Sequence, residues 1–209
     1  GVYPAFAEGI PIIAITAQNQ TWRAYPDHGL MQSQMQSLDQ LSLYKRVTKW
    51  NAVITNWQRI PELVHQAFRV ATSGRPGPVH LDFPSDIMFH ADDERDVEIL
   101  APQGYRAIEK PIGNPSLIDQ AAKMLSEANL PLIHAGGGTL RSDASEELIE
   151  LADYLQAPVT TSVQGRGSIP EDHPLCLISS CYQTGGLVAQ MDADVVLLVG
   201  GRLGDLEFY

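Results

Sequence analysis

Thr72-Ser73-Gly74-Arg75-Pro76-Gly77-Pro78-Val79-His80-Leu81-Asp82-Phe83-Pro84-Ser85-Asp86-Ile87 is the stretch whose reading decides the fold. Gly74 can take a positive φ, while Pro76 and Pro78 fix their own φ and push Arg75 and Gly77 out of the helical region. A helix ends here. From Val79 the chain alternates, with Val79, Leu81 and Phe83 on one face of a strand that Pro84 stops.

Upstream, Pro61 suits the first turn of a helix whose Leu63, Val64, Ala67, Phe68 and Ala71 form an apolar stripe. Tyr44 to Ile54 reads as a strand. Gln18 to Asp39 is polar, with four glutamines between Gln32 and Gln40, and reads as a long loop. Such loops after parallel strands are where ligands bind. Ile10 to Thr16 is a near-continuous apolar run, the pattern of a strand covered on both faces, and Gly1 to Glu8 reads as a helix tail stopped by Gly9.

Downstream, residues 91–113 form a linker rich in Asp, Glu, Pro and Gly. His90 beside Asp92 and Asp93 reads as a solvated cluster there, and no metal ligand is assigned. Asn114-Pro115-Ser116 then caps a helix carrying Leu117, Ile118, Ala121, Ala122 and Leu125. Pro131 to Ala135 is a buried strand running into Gly136-Gly137-Gly138. Ser142 or Asp143 caps the next helix, with Leu148, Ile149, Ala152 and Leu155 inward, and Ala157 to Thr161 is a strand. The chain loops through Pro170 and Pro174 to a helix near Gly185 to Gln190. Asp194 to Val199 follows as a fully buried strand ending in Gly200-Gly201-Arg202. The alternation predicts an α/β protein of parallel sheets with helices on both faces: residues 1–90, the linker, and a Rossmann-like domain over 114–209.

Fourteen Lys and Arg against 25 Asp and Glu give a net charge of -11, which argues against nucleic-acid binding. The apolar runs Ile10 to Ala17 and Val195 to Val199 are too short to cross a bilayer. Cys176 and Cys181 match neither a disulfide framework nor a Cys-x-x-Cys knuckle, so a cytoplasmic location is expected. The start at Gly1 and the end just after a strand read as those of a fragment.

Glycines directly after parallel strands can admit a phosphate to backbone N–H groups, and Gly136 to Gly138 and Gly200-Gly201 qualify by position. They match neither a Walker loop nor Gly-x-Gly-x-x-Gly, so a tight turn with close packing is the stronger reading. There is no Gly-x-Ser-x-Gly elbow, and His80 and His134 read as satisfied core residues.

The passage Thr48-Lys49-Trp50, Pro61-Glu62-Leu63, Ala71 to Val79 and Asp82-Phe83-Pro84-Ser85-Asp86 resembles the end of the pyrimidine-binding domain of thiamine-diphosphate enzymes. Ala135-Gly136-Gly137-Gly138, Ala157-Pro158-Val159, Gly165 to Pro170, Asp172-His173-Pro174 and Ala193 to Leu203 are similar to the central domain of acetolactate-synthase-like enzymes. The resemblance implies a 2-oxo acid decarboxylase or carboligase that uses thiamine diphosphate and Mg2+ as a homodimer or homotetramer. It also implies FAD or ADP in the central domain, facing Gly137, Gly138, Ser162, Val163, Gln164, Gly200 and Arg202. Thr16-Ala17-Gln18 resembles the family's Thr-Gly-Gln, which makes Gln18 a cofactor-side residue. Gln36 falls where the family keeps a catalytic glutamine, followed here by Ser37 in place of an acid.

The chain departs from acetolactate synthases at Ser180-Cys181-Tyr182-Gln183 and at Gly204-Asp205-Leu206. The family's activating glutamate is expected upstream of Gly1 and its Mg2+-binding Gly-Asp-Gly to Asn motif beyond Tyr209, so the isolated chain is expected to be inactive. An oxalyl-CoA decarboxylase or 2-hydroxyacyl-CoA lyase with an acyl-CoA substrate is an alternative. A non-catalytic nucleotide-binding or assembly module is another.

Overall fold

The computed structural model describes residues 1–21, 38–93, 97, 99–108, 111–179 and 184–204. The chain divides into two compact units, Gly1–Pro111 and Ile112–Tyr209.

In the first unit α1 (Val2–Glu8) stops at Gly9, whose φ of 68° only glycine adopts readily. β1 (Ile13–Gln18), α2 (Gln40–Tyr44), β2 (Trp50–Val53), α3 (Ile60–Thr72), β3 (Val79–Pro84) and α4 (Ser85–Met88) follow. The three strands are parallel in the order β1-β3-β2, so β3 is central. Leu63, Ala67 and Ala71 of α3 pack with Ile54 against Val79 and Leu81. Gly74 ends this helix region at φ 56°, as the decisive stretch predicts.

Several expectations shift. The second strand starts at Trp50 and not at Tyr44, because Asp39 caps α2 by accepting from the N–H of Ser42 and makes Gln40–Tyr44 helical. β1 begins at Ile13, after Pro11, which has no N–H to give a ladder. It is an edge strand, and Ile15 is 66% exposed where cover on both faces was expected. Phe68 leaves the stripe of α3 and tilts toward Tyr105, whose ring also stacks on His65 at 4.7 Å. Residues around Tyr105, within the expected linker, therefore pack on the first unit.

In the second unit the order is α5 (Pro115–Glu127), β4 (Pro131–Ala135), α6 (Gly137–Arg141), α7 (Ser145–Leu155), β5 (Val159–Thr161), β6 (Cys176–Ser179), α8 (Thr184–Asp192) and β7 (Val195–Val199). Asn114 caps α5 by accepting from the N–H of Ser116. All four strands are parallel in the order β6-β5-β4-β7. Successive strands step one way from β4 and then return to its other side, so a topological switch point lies between β4 and β7. Ile133, Ala135, Leu148, Ala152, Ala157, Val159 and Ile169 form the core.

Here too the pattern was partly misread. β6 is a four-residue strand soon after Pro174, too short for periodicity to announce. Neither Ser142 nor Asp143 caps α7; Ala144 takes that position, and Asp143 sits at φ 56° in the turn before it. On α5 only Leu125 is buried, and Leu117 and Ile118 face outward. β7 is an edge strand with Val196 exposed, not the fully buried strand its apolar run suggested.

The carboxylate of Asp194, at the entry to β7, accepts from the N–H groups of Asn129 (2.7 Å) and Leu130 (3.0 Å), just before β4. The backbone N–H of Asn129, then that of Leu130, holds this carboxyl below the ordinary aspartate range. Asp194→Ala should lower the melting temperature at pH 7, and the gap to wild type should narrow as pH falls through the depressed pKa, since the bonded form is the ionised one. Ile133→Ala, on the fully buried central strand, should cost about 2–5 kcal/mol in urea denaturation.

Candidate functional site

The switch point of the second unit is built from three loops at the carboxyl ends of β4, β5 and β7. Gly136 N–H donates to Val199 O and Gly138 N–H to Gly200 O, both at 2.8 Å. A Cβ on Gly136 would stand 2.4 Å from Gly200 O, and one on Gly138 would stand 2.6 Å from Gly200 Cα. Gly200, at φ 62°, packs on the N of Thr139. These glycines are therefore required by backbone lying on backbone. The tight, closely packed turn expected at Gly136 to Gly138 forms, with the Gly138 N–H committed to Gly200 O.

Ser162 is buried as the first residue of the β5 loop, and its Oγ accepts from Gly165 N–H at 3.1 Å. Gly165 itself lies so close to Ala135 O that a Cβ would come within 2.1 Å of it. Gly137 faces Gln164 and the Arg141 guanidinium. Of the remaining expected ligand residues, Val163, Gln164 and Arg202 are exposed. Beside Gly138 and Gly200 a cavity of about 350 Å³ is lined by Thr139, Leu148, Leu151 and Val199, with Glu147 at its side. A larger cavity of about 740 Å³ lies at the amino ends of β4 and β5, at the wrong edge of the sheet for a switch-point ligand.

In the first unit the carboxyl end of β1 is a set of fastenings. Gln18 is buried, its Nε2 donating to Leu38 O at 2.6 Å and its Oε1 accepting from Asn19 N–H at 2.9 Å. Gln40 Nε2 donates to Ala17 O. Asp86, in the first turn of α4, accepts from the Thr21 N–H (2.9 Å) and hydroxyl (2.6 Å). Burial opposes its charge, but these donors outweigh it and hold the carboxyl below its usual range. Thr21 and Leu38 are thus both tied to the same edge. Gln36, between them, lies outside the described residues.

Sequence reading missed a further cluster. Thr16 Oγ1 donates to Asp82 Oδ1 at 2.8 Å and lies 2.7 Å from His80 Nε2, and the His80 ring stacks on Tyr44 at 3.9 Å. With the Thr16 hydrogen on Asp82, Nε2 is the protonated nitrogen of His80 and donates to Thr16. The signal was present in the alternation itself: His80 and Asp82 share the face opposite Val79 and Leu81. Among the described residues no group of three His, Cys, Asp or Glu could hold a metal ion, and no helix is long and apolar enough to cross a membrane.

Residues 118–209 match the family described as the thiamine pyrophosphate enzyme, central domain. Across 98% of its length the chain is 38% identical to the "Probable acetolactate synthase large subunit" of Methanocaldococcus jannaschii, covering 34% of that protein. It is 34% identical to the acetolactate synthase of Arthrospira platensis (98% of this chain, 35% of that one) and 32% identical to the glyoxylate carboligase of Escherichia coli O157:H7 (98% and 33%). The chain thus spans about a third of the length of the curated relatives it matches. An X-ray structure from Mycobacterium smegmatis assigned to the thiamin diphosphate-dependent enzymes superposes with a TM-score of 0.74 at 26% identity, over 100% of this chain and 38% of that one. Residues 118–209 thus carry the pattern of a thiamine pyrophosphate enzyme central domain, and similarity to acetolactate synthases extends over nearly the whole chain.

Proposed function

We propose that the protein acts as a thiamine-diphosphate-dependent carboligase or decarboxylase of 2-oxo acids, of the acetolactate synthase kind, with its first unit forming the end of a pyrimidine-binding domain. The observation that carries this reading is that similarity to acetolactate synthases runs through 98% of the chain, and so through both units. Thiamine diphosphate, bound with Mg2+, would supply the electron sink for breaking or making a bond beside a carbonyl.

What this chain's own residues contribute follows from their geometry. Gln18 uses one N–H and one lone pair of its carboxamide on the backbone of Leu38 and Asn19, so in this reading it fastens Leu38 to the end of β1 while its second N–H stays available toward the cofactor. Asp86 likewise fastens Thr21 through its N–H and hydroxyl. In the second unit FAD or ADP would rest on the rim of Val163, Gln164 and Arg202, outside the closed glycine loops. Gly137, Gly138, Ser162 and Gly200 would shape that rim from beneath. Assembly as a homodimer or homotetramer in the cytoplasm belongs to the same proposal.

Two measurements test it on the protein as its gene encodes it. With pyruvate, thiamine diphosphate and Mg2+, carbon dioxide should be released and acetolactate formed. No carbon dioxide from pyruvate or glyoxylate, in a sample that is folded by circular dichroism, would overturn the reading. FAD or ADP should raise the melting temperature, and Arg202→Ala should diminish that rise. A nucleotide effect unaltered in Arg202→Ala would remove Arg202 from the rim.

A further inference from the structure

His80 is fully buried on the central strand of the first unit, yet it is an ionisable ring. Its Nε2 is engaged with Thr16, and its Nδ1 has no hydrogen-bond partner among the described residues. Its flat face lies 3.9 Å from the Tyr44 ring with only 7° between the planes, so the imidazole is the surface on which the carboxyl end of α2 rests. The other fastenings of this segment come from side chains that do not titrate in the neutral range. They are Gln18 to Leu38 O, Gln40 to Ala17 O, Asn51 to Leu41 O at 2.6 Å and Thr48 to Tyr44 O at 2.7 Å.

We infer that His80 is an acid-sensitive latch: as a neutral ring it supports Tyr44 and holds α2 against the sheet, and its protonation frees the carboxyl end of α2. Protonation would place a second N–H donor at Nδ1, buried and without an acceptor among the described residues. The charge itself would be stranded in the sheet's interior.

The groups facing the ring decide whether this cost survives. On β3 the titratable neighbour is Asp82, whose carboxylate favours the charged ring but reaches it through Thr16. β1 presents Ala14 and Thr16 in register with His80 and Asp82, and β2 presents Asn51 and Val53. From α2 comes Tyr44; Asp39 at that helix's start is turned to Ser42, and Lys45 and Arg46 beyond it are exposed. On α4, Asp86 is taken up by Thr21. Burial therefore outweighs Asp82 and pushes the imidazole below its ordinary value of 6.5. The sign follows: the latch is fully closed above that value and weakens as pH falls through the window between it and the depressed pKa.

Hydrogen exchange of the protein as its gene encodes it, at pH 7.5 and 5.5 and corrected for intrinsic rates, reads the latch directly. Peptides covering residues 38–48 should lose protection by up to about tenfold per pH unit below 6.5, while peptides of α3 hold theirs. His80→Leu, which fills the site without a titrating group, should abolish the difference. Unchanged protection in wild type, or an equal acid loss in His80→Leu, would overturn the inference. Should His80→Leu not fold, the NMR titration of the wild-type His80 ring decides. A midpoint below 6.5 supports the latch, and one at or above 6.5 overturns it. His134, buried in the other unit against Thr160, is assigned separately as the control.

Discussion

Three loops converge at the carboxyl edge of the central-domain sheet, and they fit only because none carries a side chain where they meet. A Cβ on Gly165 would strike Ala135 O, one on Gly136 would strike Gly200 O, and one on Gly138 would strike Gly200 Cα. The hydrogen bonds Gly136 to Val199 and Gly138 to Gly200 then tie β4 to β7 beyond the ends of the strands. The doubly wound order depends on this closure, since the edge is where the sheet would otherwise part at its switch point. The N–H of Gly138 is used in the same closure.

The two units solve a second problem alike. Each has a central parallel strand, β3 or β4, buried on both faces, and each carries a histidine there. His80 is bonded to Thr16 of β1, and His134 Nδ1 lies 2.9 Å from Thr160 Oγ1 of β5. A buried imidazole needs such a partner, and a threonine on the adjacent strand supplies it without charge. In the first unit the arrangement extends through Thr16 to Asp82 and through ring stacking to Tyr44, so that packing of α2 is linked to the protonation of one ring.

Much of this was legible in the sequence where local chemistry acts alone. Gly74 and the prolines after it ended a helix, Asn114 capped one, and the apolar runs at Pro131 and Val195 were strands. Reading failed where a neighbour decides. Ile15 and Val196 look buried by composition, but edge position is a property of the sheet and leaves them exposed. Asp39 turned the expected strand start into a helix by a bond no periodicity records. At the candidate site, position after a parallel strand singled out these glycines, but only the fold reveals that they face one another. Likewise Gln18 was picked out by motif, and its bond to Leu38, twenty residues later, is one that no local pattern records.

The Gly138 amide is where the account is most exposed. Its exchange rate, resolved by NMR in the protein free of nucleotide and again with saturating ADP, separates a closed glycine edge from an open phosphate cradle. Slow exchange that ADP leaves unchanged is the predicted result. Fast exchange that slows only when ADP is bound would contradict it.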